Sequence, residues 1–175
     1  AIDSIKIHKS EKWKIFILTF SLISINSLSG YDTFAVDGSL PLIKNQFAIN
    51  DSQSALINTL SSITHSLSLA LIWIFGDFAS GKYLLSTSVF GWCISNILSL
   101  SCGSASFWLF IVFRSISSAF NSIFGVLIPV ILADLFEDAE LAKALTCLSL
   151  SEIMAGIFST SMTSWIIISS LPWFV

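Results

Sequence analysis

Arg114 is the only arginine in the chain, and it falls inside residues 106–132, a run that is otherwise almost wholly apolar. A guanidinium stays charged at physiological pH, so in lipid it requires an anion or a hydrated path. The residues that follow on its helical face are hydrophilic or small. Ser117, Ser118, Asn121, Ser122 and Gly125 lie at offsets of 3, 4, 7, 8 and 11, the repeat of one side of a 3.6-residue helix. A second stripe joins Ser54, Asn58, Ser61, His65 and Ser68, and a third joins Ser149, Glu152, Gly156, Ser159 and Thr163. Serine, threonine and glycine at this spacing commonly let helices approach one another in lipid. Ionisable residues are different, because a charge at mid-bilayer costs from about 3 to more than 10 kcal/mol. Arg114 and Glu152 are therefore expected to face a partner or a watery cavity. Two acids could serve Arg114. Glu152 differs from it in depth by about 7–8 Å at 1.5 Å per residue, whereas Asp32 is at similar depth. His65 could relay protons, although a histidine on a serine stripe is also a common neutral packing residue. None of this is bond-making chemistry. No nucleophile, base and orienter occur together, and Cys93, Cys102 and Cys147 show no metal-binding spacing and read as small apolar fillers. Neither an enzyme, nor a cofactor, nor a nucleic-acid partner is expected.

The elements that position these residues follow from composition. With 54% hydrophobic and 11% charged residues and a mean hydropathy of +0.86, the chain is too apolar for a soluble domain, which carries about 25% charged residues. Five runs reach the roughly 20 residues needed to span a bilayer, at about 13–34, 54–76, 83–102, 106–132 and 145–170. They lack strict alternation, which excludes a barrel, so the fold is an all-α polytopic membrane bundle. Residues 1–12 read as an N-terminal tail and 13–175 as one partial domain. The first run is longer than a secretory h-region and reads as a retained helix. Both ends read as cut, so a fragment is expected. Lys6, Lys9, Lys12, Lys14, Lys82 and Lys143 share one side of the membrane and Lys44 falls on the other, which makes the N-terminus cytoplasmic. Asp37 and Lys44 are then expected in a solvated outer loop, and Asp134–Glu140 in a solvated cytoplasmic one. The sequon Asn50-Asp51-Ser52 could carry a glycan, but its closeness to the second helix favours a capping role for Asp51 or Ser52.

The stretches "YDTFAVDGSLPLIKNQFAINDSQSALINT", "FGDFASGKYLL" and "RSISSAFNSIFGVLIPVILADLF" resemble the first half of a spinster-family transporter of the major facilitator superfamily. The resemblance runs from about Tyr31 to Phe136. Family members share an Asp-Arg pair on helix 1, a Gly-Asp-Arg loop after helix 2, and an Arg on helix 4 followed seven residues later by Glu. Here these positions hold Asp32 and Thr33, then Gly76, Asp77 and Phe78, then Arg114 and Asn121. Thr33 and Asn121 thus remove one positive and one negative charge together, the economical change if the two positions interact. The resemblance implies Gly76 and Asp77 as a cytoplasmic gate, and Asp32 with Arg114 as a pair made and broken during alternating access, with proton coupling weakened by Asn121. It also implies a lysophospholipid or sphingolipid cargo such as sphingosine-1-phosphate, a lysosomal, late endosomal or plasma membrane, and a C-terminal half completing twelve helices. The rival expectation is a truncated, non-transporting half that regulates another membrane protein.

Overall fold

A computed structural model describes residues 9–76, 80–102 and 106–169 of the chain. The described residues are helical and contain no strand. Five helices follow one another: α1 (Lys9–Phe47), α2 (Asp51–Phe75), α3 (Gly81–Cys102), α4 (Phe107–Leu135) and α5 (Asp138–Ile168). All five are long and apolar enough to cross a membrane, as the hydrophobic runs require.

The largest departure from expectation is at the end of α1. The helix does not stop near residue 34 but continues through Asp37, Gly38, Pro41 and Lys44 to Phe47. Gly38 and Pro41 look like turn residues, yet both are accommodated inside the helix. A Cβ at Gly38 would come within 3.1–3.3 Å of Thr163 on α5, so the glycine permits close helix approach. Pro41 is on the exposed side of α1, where its ring meets little. Val36, Leu40, Ile43 and Phe47 recur on one face and pack with Ile57, Phe107, Phe110 and Ile111, and this burial outweighs the two helix breakers. Asp37 and Lys44 are consequently helical rather than in a loop. The turn to α2 is only three residues, with Ala48 in the left-handed region at φ 50° and the Ile49 amide bonded to the Lys44 carbonyl at 3.2 Å, a helix-ending pattern. Lys44 pairs with Asp51 across it. The cap of α2 is Asn50, whose amide donates to Gln53 Oε1 at 3.1 Å, one position before the expected Asp51 or Ser52. The acidic segment is likewise exposed but not a long loop: α4 runs through Asp134 and α5 starts at Asp138, leaving Phe136 and Glu137 between them.

Packing divides the bundle unevenly. α1 lies along α5, and α4 lies against both α3 and α2, whereas α1 and α4 meet along a narrow seam. That seam has apolar ends. One end is the cluster around Ile43, Ile57 and Phe110; the other gathers Leu22, Phe124, Ile128, Leu132, Ala144 and Leu148. Between them, α4 carries Arg114 to Asn121. Aromatic residues mark both membrane surfaces: Trp13, Trp73 and Tyr83 are exposed at the helix ends on one side, and Trp108 and Trp165 on the other.

Gly91 offers a direct test of the α3–α4 contact, since a Cβ there would lie 2.5 Å from the ring of Phe120. Gly91→Ala is expected to destabilise the bundle by about 1–3 kcal/mol through overpacking. Gly125→Ala meets nothing within 4 Å and should leave stability within about 0.5 kcal/mol of wild type. Thermal unfolding in detergent compares the two.

Candidate functional site

The site is built where the polar stripe of α4 meets α1. A guanidinium at Arg114 projects across the narrow seam, and Nη1 donates to both carboxylate oxygens of Asp32, at 2.8 and 3.0 Å. The same nitrogen donates to Asn96 Oδ1 on α3 at 2.8 Å. Ser117 donates to that oxygen as well, at 2.9 Å. One charge on α4 is therefore compensated from two neighbouring helices. The side chains of Arg114 and Asp32 are 12% and 24% exposed, so they are shielded without being sealed from the adjoining cavities. A charge-assisted contact of this length in partial burial is stronger than a surface ion pair.

Two turns along α4 from Arg114 and one turn back along α1 from Asp32, Ser29 Oγ donates to Asn121 Oδ1 at 2.5 Å, and Thr33 Oγ1 donates to the Ser29 carbonyl at 3.1 Å. The two residues that replace the expected charges, Thr33 and Asn121, are thereby tied to a common serine and not directly to each other. α2 joins the network from its own stripe: Ser118 donates to the Ser61 carbonyl at 2.8 Å, and Asn58 Nδ2 to Asp37 Oδ1 at 2.9 Å.

Three cavities adjoin this network. A small one of about 60 Å³ between α1, α2 and α4 is lined by Asp32, Thr33, Asp37, Asn58, Arg114 and Asn121. A larger one of about 360 Å³ between α1, α2, α4 and α5 is lined by Thr33, His65, Asn121, Gly125 and Glu152 among others. Thr33 and Asn121 line both, so they form the junction between the two. A third cavity of about 290 Å³ lies where α1 and α4 meet α3 and α5, with Asp32 and Arg114 beside Tyr31, Phe110 and Met162.

The structure thus brings Asp32, Arg114, Thr33 and Asn121 to one seam, and places Glu152 and His65 on the wall of the 360 Å³ cavity. Of the two acids considered for Arg114, Asp32 makes the pair. α5 starts seven residues earlier than expected, at Asp138 instead of 145, so Glu152 lies deeper in its helix than composition suggests. Its stripe divides in two. Gly156, Ser159 and Thr163 are buried, with Ser159 donating to the Tyr31 carbonyl at 2.9 Å, while Ser149 and Glu152 open to the cavity. Gly76 ends α2 with its amide bonded to the Ile72 carbonyl, and Asp77 lies outside the described residues. Asn96 is the member that sequence reasoning missed. Its signal was a fourth polar face that went unread: Ser88, Ser95, Asn96 and Ser99 recur on α3 at offsets of 0, 7, 8 and 11, and the three serines are buried. Among the described residues no group of three or more His, Cys, Asp or Glu is placed to hold a metal ion.

Comparison with known proteins identifies the family. The family model of the Major Facilitator Superfamily matches residues 22–175. Protein spinster homolog 1 of Xenopus laevis is 31% identical over 120 residues, which are 69% of this chain and 23% of that protein. The Homo sapiens protein of the same name is 29% identical over 125 residues, 71% of this chain and 24% of that protein. The sphingosine-1-phosphate transporter SPNS2 of Danio rerio is 28% identical over 111 residues, 63% of this chain and 22% of that protein. The aligned chain spans less than a quarter of the length of these relatives. It belongs to the Major Facilitator Superfamily, as a divergent spinster-like member.

Proposed function

We propose that this chain forms part of a secondary transporter that moves an amphipathic lipid, of the lysophospholipid or sphingolipid class, by alternating access. The observation that carries the reading is the Arg114–Asp32–Asn96 cluster, a compensated charge held between three helices and bordered by cavities. A structural ion pair would be expected to close its surroundings. This one leaves open space on two sides, and the lining of the larger of these two cavities mixes polar groups with Leu42, Leu100, Phe110 and Ile166. That combination suits a molecule with a charged head and an apolar tail.

In this reading the chain rocks as one half against a C-terminal half, and the hydrophilic middle of the α1–α4 seam exchanges partners as the protein alternates. Protonation of Asp32, or arrival of an anionic headgroup, would release Arg114 from one partner while Asn96 retains it. Thr33 and Asn121 stand at the junction of the two cavities, so they sort what passes from one to the other. Gly76 and Asp77 serve the cytoplasmic gate, and a C-terminal half supplies the opposite wall. The similar proteins named as a sphingosine-1-phosphate transporter and as spinster homologs support the lipid class.

Two measurements test this. In cells expressing the full-length protein, Arg114→Ala is expected to lower lysophospholipid or sphingosine-1-phosphate export by about tenfold or more. Asp32→Asn alone should lose about 3 kcal/mol of stability because it strands the guanidinium, and Arg114→Gln with Asp32→Asn should recover much of that loss in a double-mutant cycle. Export unchanged in Arg114→Ala would overturn the reading. The orientation is tested separately: in a cysteine-free background, an impermeant thiol reagent applied outside or within the lumen should label Asn45→Cys and spare Lys12→Cys.

A further inference from the structure

The 360 Å³ cavity contains an acid that the Arg114 cluster leaves unused. Glu152 is 14 residues after Asp138 in the 31-residue α5, which places it near the middle of the helix, about 21 Å from its start. That is the depth at which a lone carboxylate is most costly. Among the described residues the ion pairs are Lys44–Asp51 and Arg114–Asp32, so Glu152 has no cationic partner there. Its side chain is exposed to the cavity.

The neighbours of Glu152 specify what could compensate it. Phe34 of α1 lines the same cavity, and its ring lies over α5 one turn beyond Glu152, 2.8 Å from the point where a Cβ at Gly156 would be. Gly156 is therefore what allows the ring to settle against the helix. Gly30 performs the same service for Glu152 itself: a Cβ at Gly30 would come within 3.1 Å of Glu152 Cγ, so the acid is held against α1 on the side from which Phe34 approaches. Asn26, Ser29, Thr33, His65, Asn121 and Ser149 make the rest of the lining largely polar, and Leu148 and Pro129 add an apolar patch. A carboxylate one helical turn from an aromatic ring, in a cavity with an apolar patch, is suited to an alkylammonium, which gains from the charge and from the ring. A small hydrated metal ion would find one carboxylate and no second acid among the residues lining this cavity.

We infer that Glu152 and Phe34 form a subsite for the ammonium group of an amphipathic ligand, on the α5 side of the cavity and separate from Arg114. The inference rests on the transport reading for its purpose, since a ligand bound there would occupy the same path. The subsite itself requires only the cavity and its charge.

The experiment measures equilibrium binding of dodecyltrimethylammonium and of uncharged dodecanol to the purified full-length protein in maltoside micelles at neutral pH. Wild type should prefer the ammonium by about tenfold. Glu152→Gln, which keeps the side-chain shape, should abolish that preference, Glu152→Asp should retain part of it, and Phe34→Leu should reduce it by about threefold. A Glu152→Gln protein with the wild-type melting temperature and an undiminished ammonium preference overturns the proposal, as does a wild type that fails to distinguish the two probes. The transport reading fails differently. Glu152-dependent ammonium binding in a protein that exports no lipid would leave the subsite standing and remove its proposed role, whereas export with no ammonium preference would do the reverse.

Discussion

A guanidinium cannot be left uncompensated in hydrocarbon, and much of the arrangement of this chain can be traced to the way Arg114 is satisfied. The cost of an unpaired charge at that depth is comparable with the whole stability of a typical domain. α4 must therefore be oriented so that Arg114 faces α1, where Asp32 lies within 3.0 Å, and α3, where Asn96 lies at 2.8 Å. Once that face is turned inward, Ser117, Ser118 and Asn121 turn inward with it, because they recur at helical spacing. Each then finds a partner: Asn96, the Ser61 carbonyl and Ser29 respectively. The polar core of the bundle is a consequence of one charge and one period.

The apolar clusters at either end of the seam have the complementary part. Leu22 with Phe124, Ile128 and Leu132 at one end, and Ile43 with Ile57, Phe107 and Phe110 at the other, supply packing that does not depend on charge. The α1–α4 contact is narrow relative to α1–α5, α3–α4 and α2–α4, and the Arg114–Asp32 pair crosses it. The broader helix pairs are joined by small residues instead, as at Gly38 against Thr163 and Gly91 against Phe120, where close approach strengthens dispersion contact.

Local signals misled where tertiary burial reversed their meaning. Gly38 and Pro41 punctuate the sequence as a turn, and Asp37 and Lys44 make the same stretch look solvated. The helix nevertheless persists to Phe47 because Ile43 is fully buried in the cluster with Ile57, Phe107 and Phe110. Asn96 shares a helical face with Ser88, Ser95 and Ser99, but that face does not reveal its partner, an arginine 18 residues away in sequence. Glu152 could be identified as a residue needing compensation, but not assigned between pairing and cavity lining, since that choice depends on which face of α5 meets α1. The resemblance to spinster proteins, read from Tyr31 to Phe136, pointed to the same family that the Major Facilitator Superfamily match over residues 22–175 supports.

The amino-acid sequence by itself determined that the chain is a bundle of five membrane-spanning helices, that three of them have a hydrophilic face, and that Arg114 must be compensated inside it. Those conclusions rest on composition and on a 3.6-residue period, which are properties of single helices in lipid. Tertiary structure alone decided that Asp32 and not Glu152 answers Arg114, that Asn96 joins them, and that Thr33 and Asn121 meet through Ser29 at the junction of two cavities. The physical reason is that a helix's own sequence sets the angle between its side chains but not its rotation, tilt or neighbour, and hydrogen bonds acting over about 3 Å exist only once those are fixed.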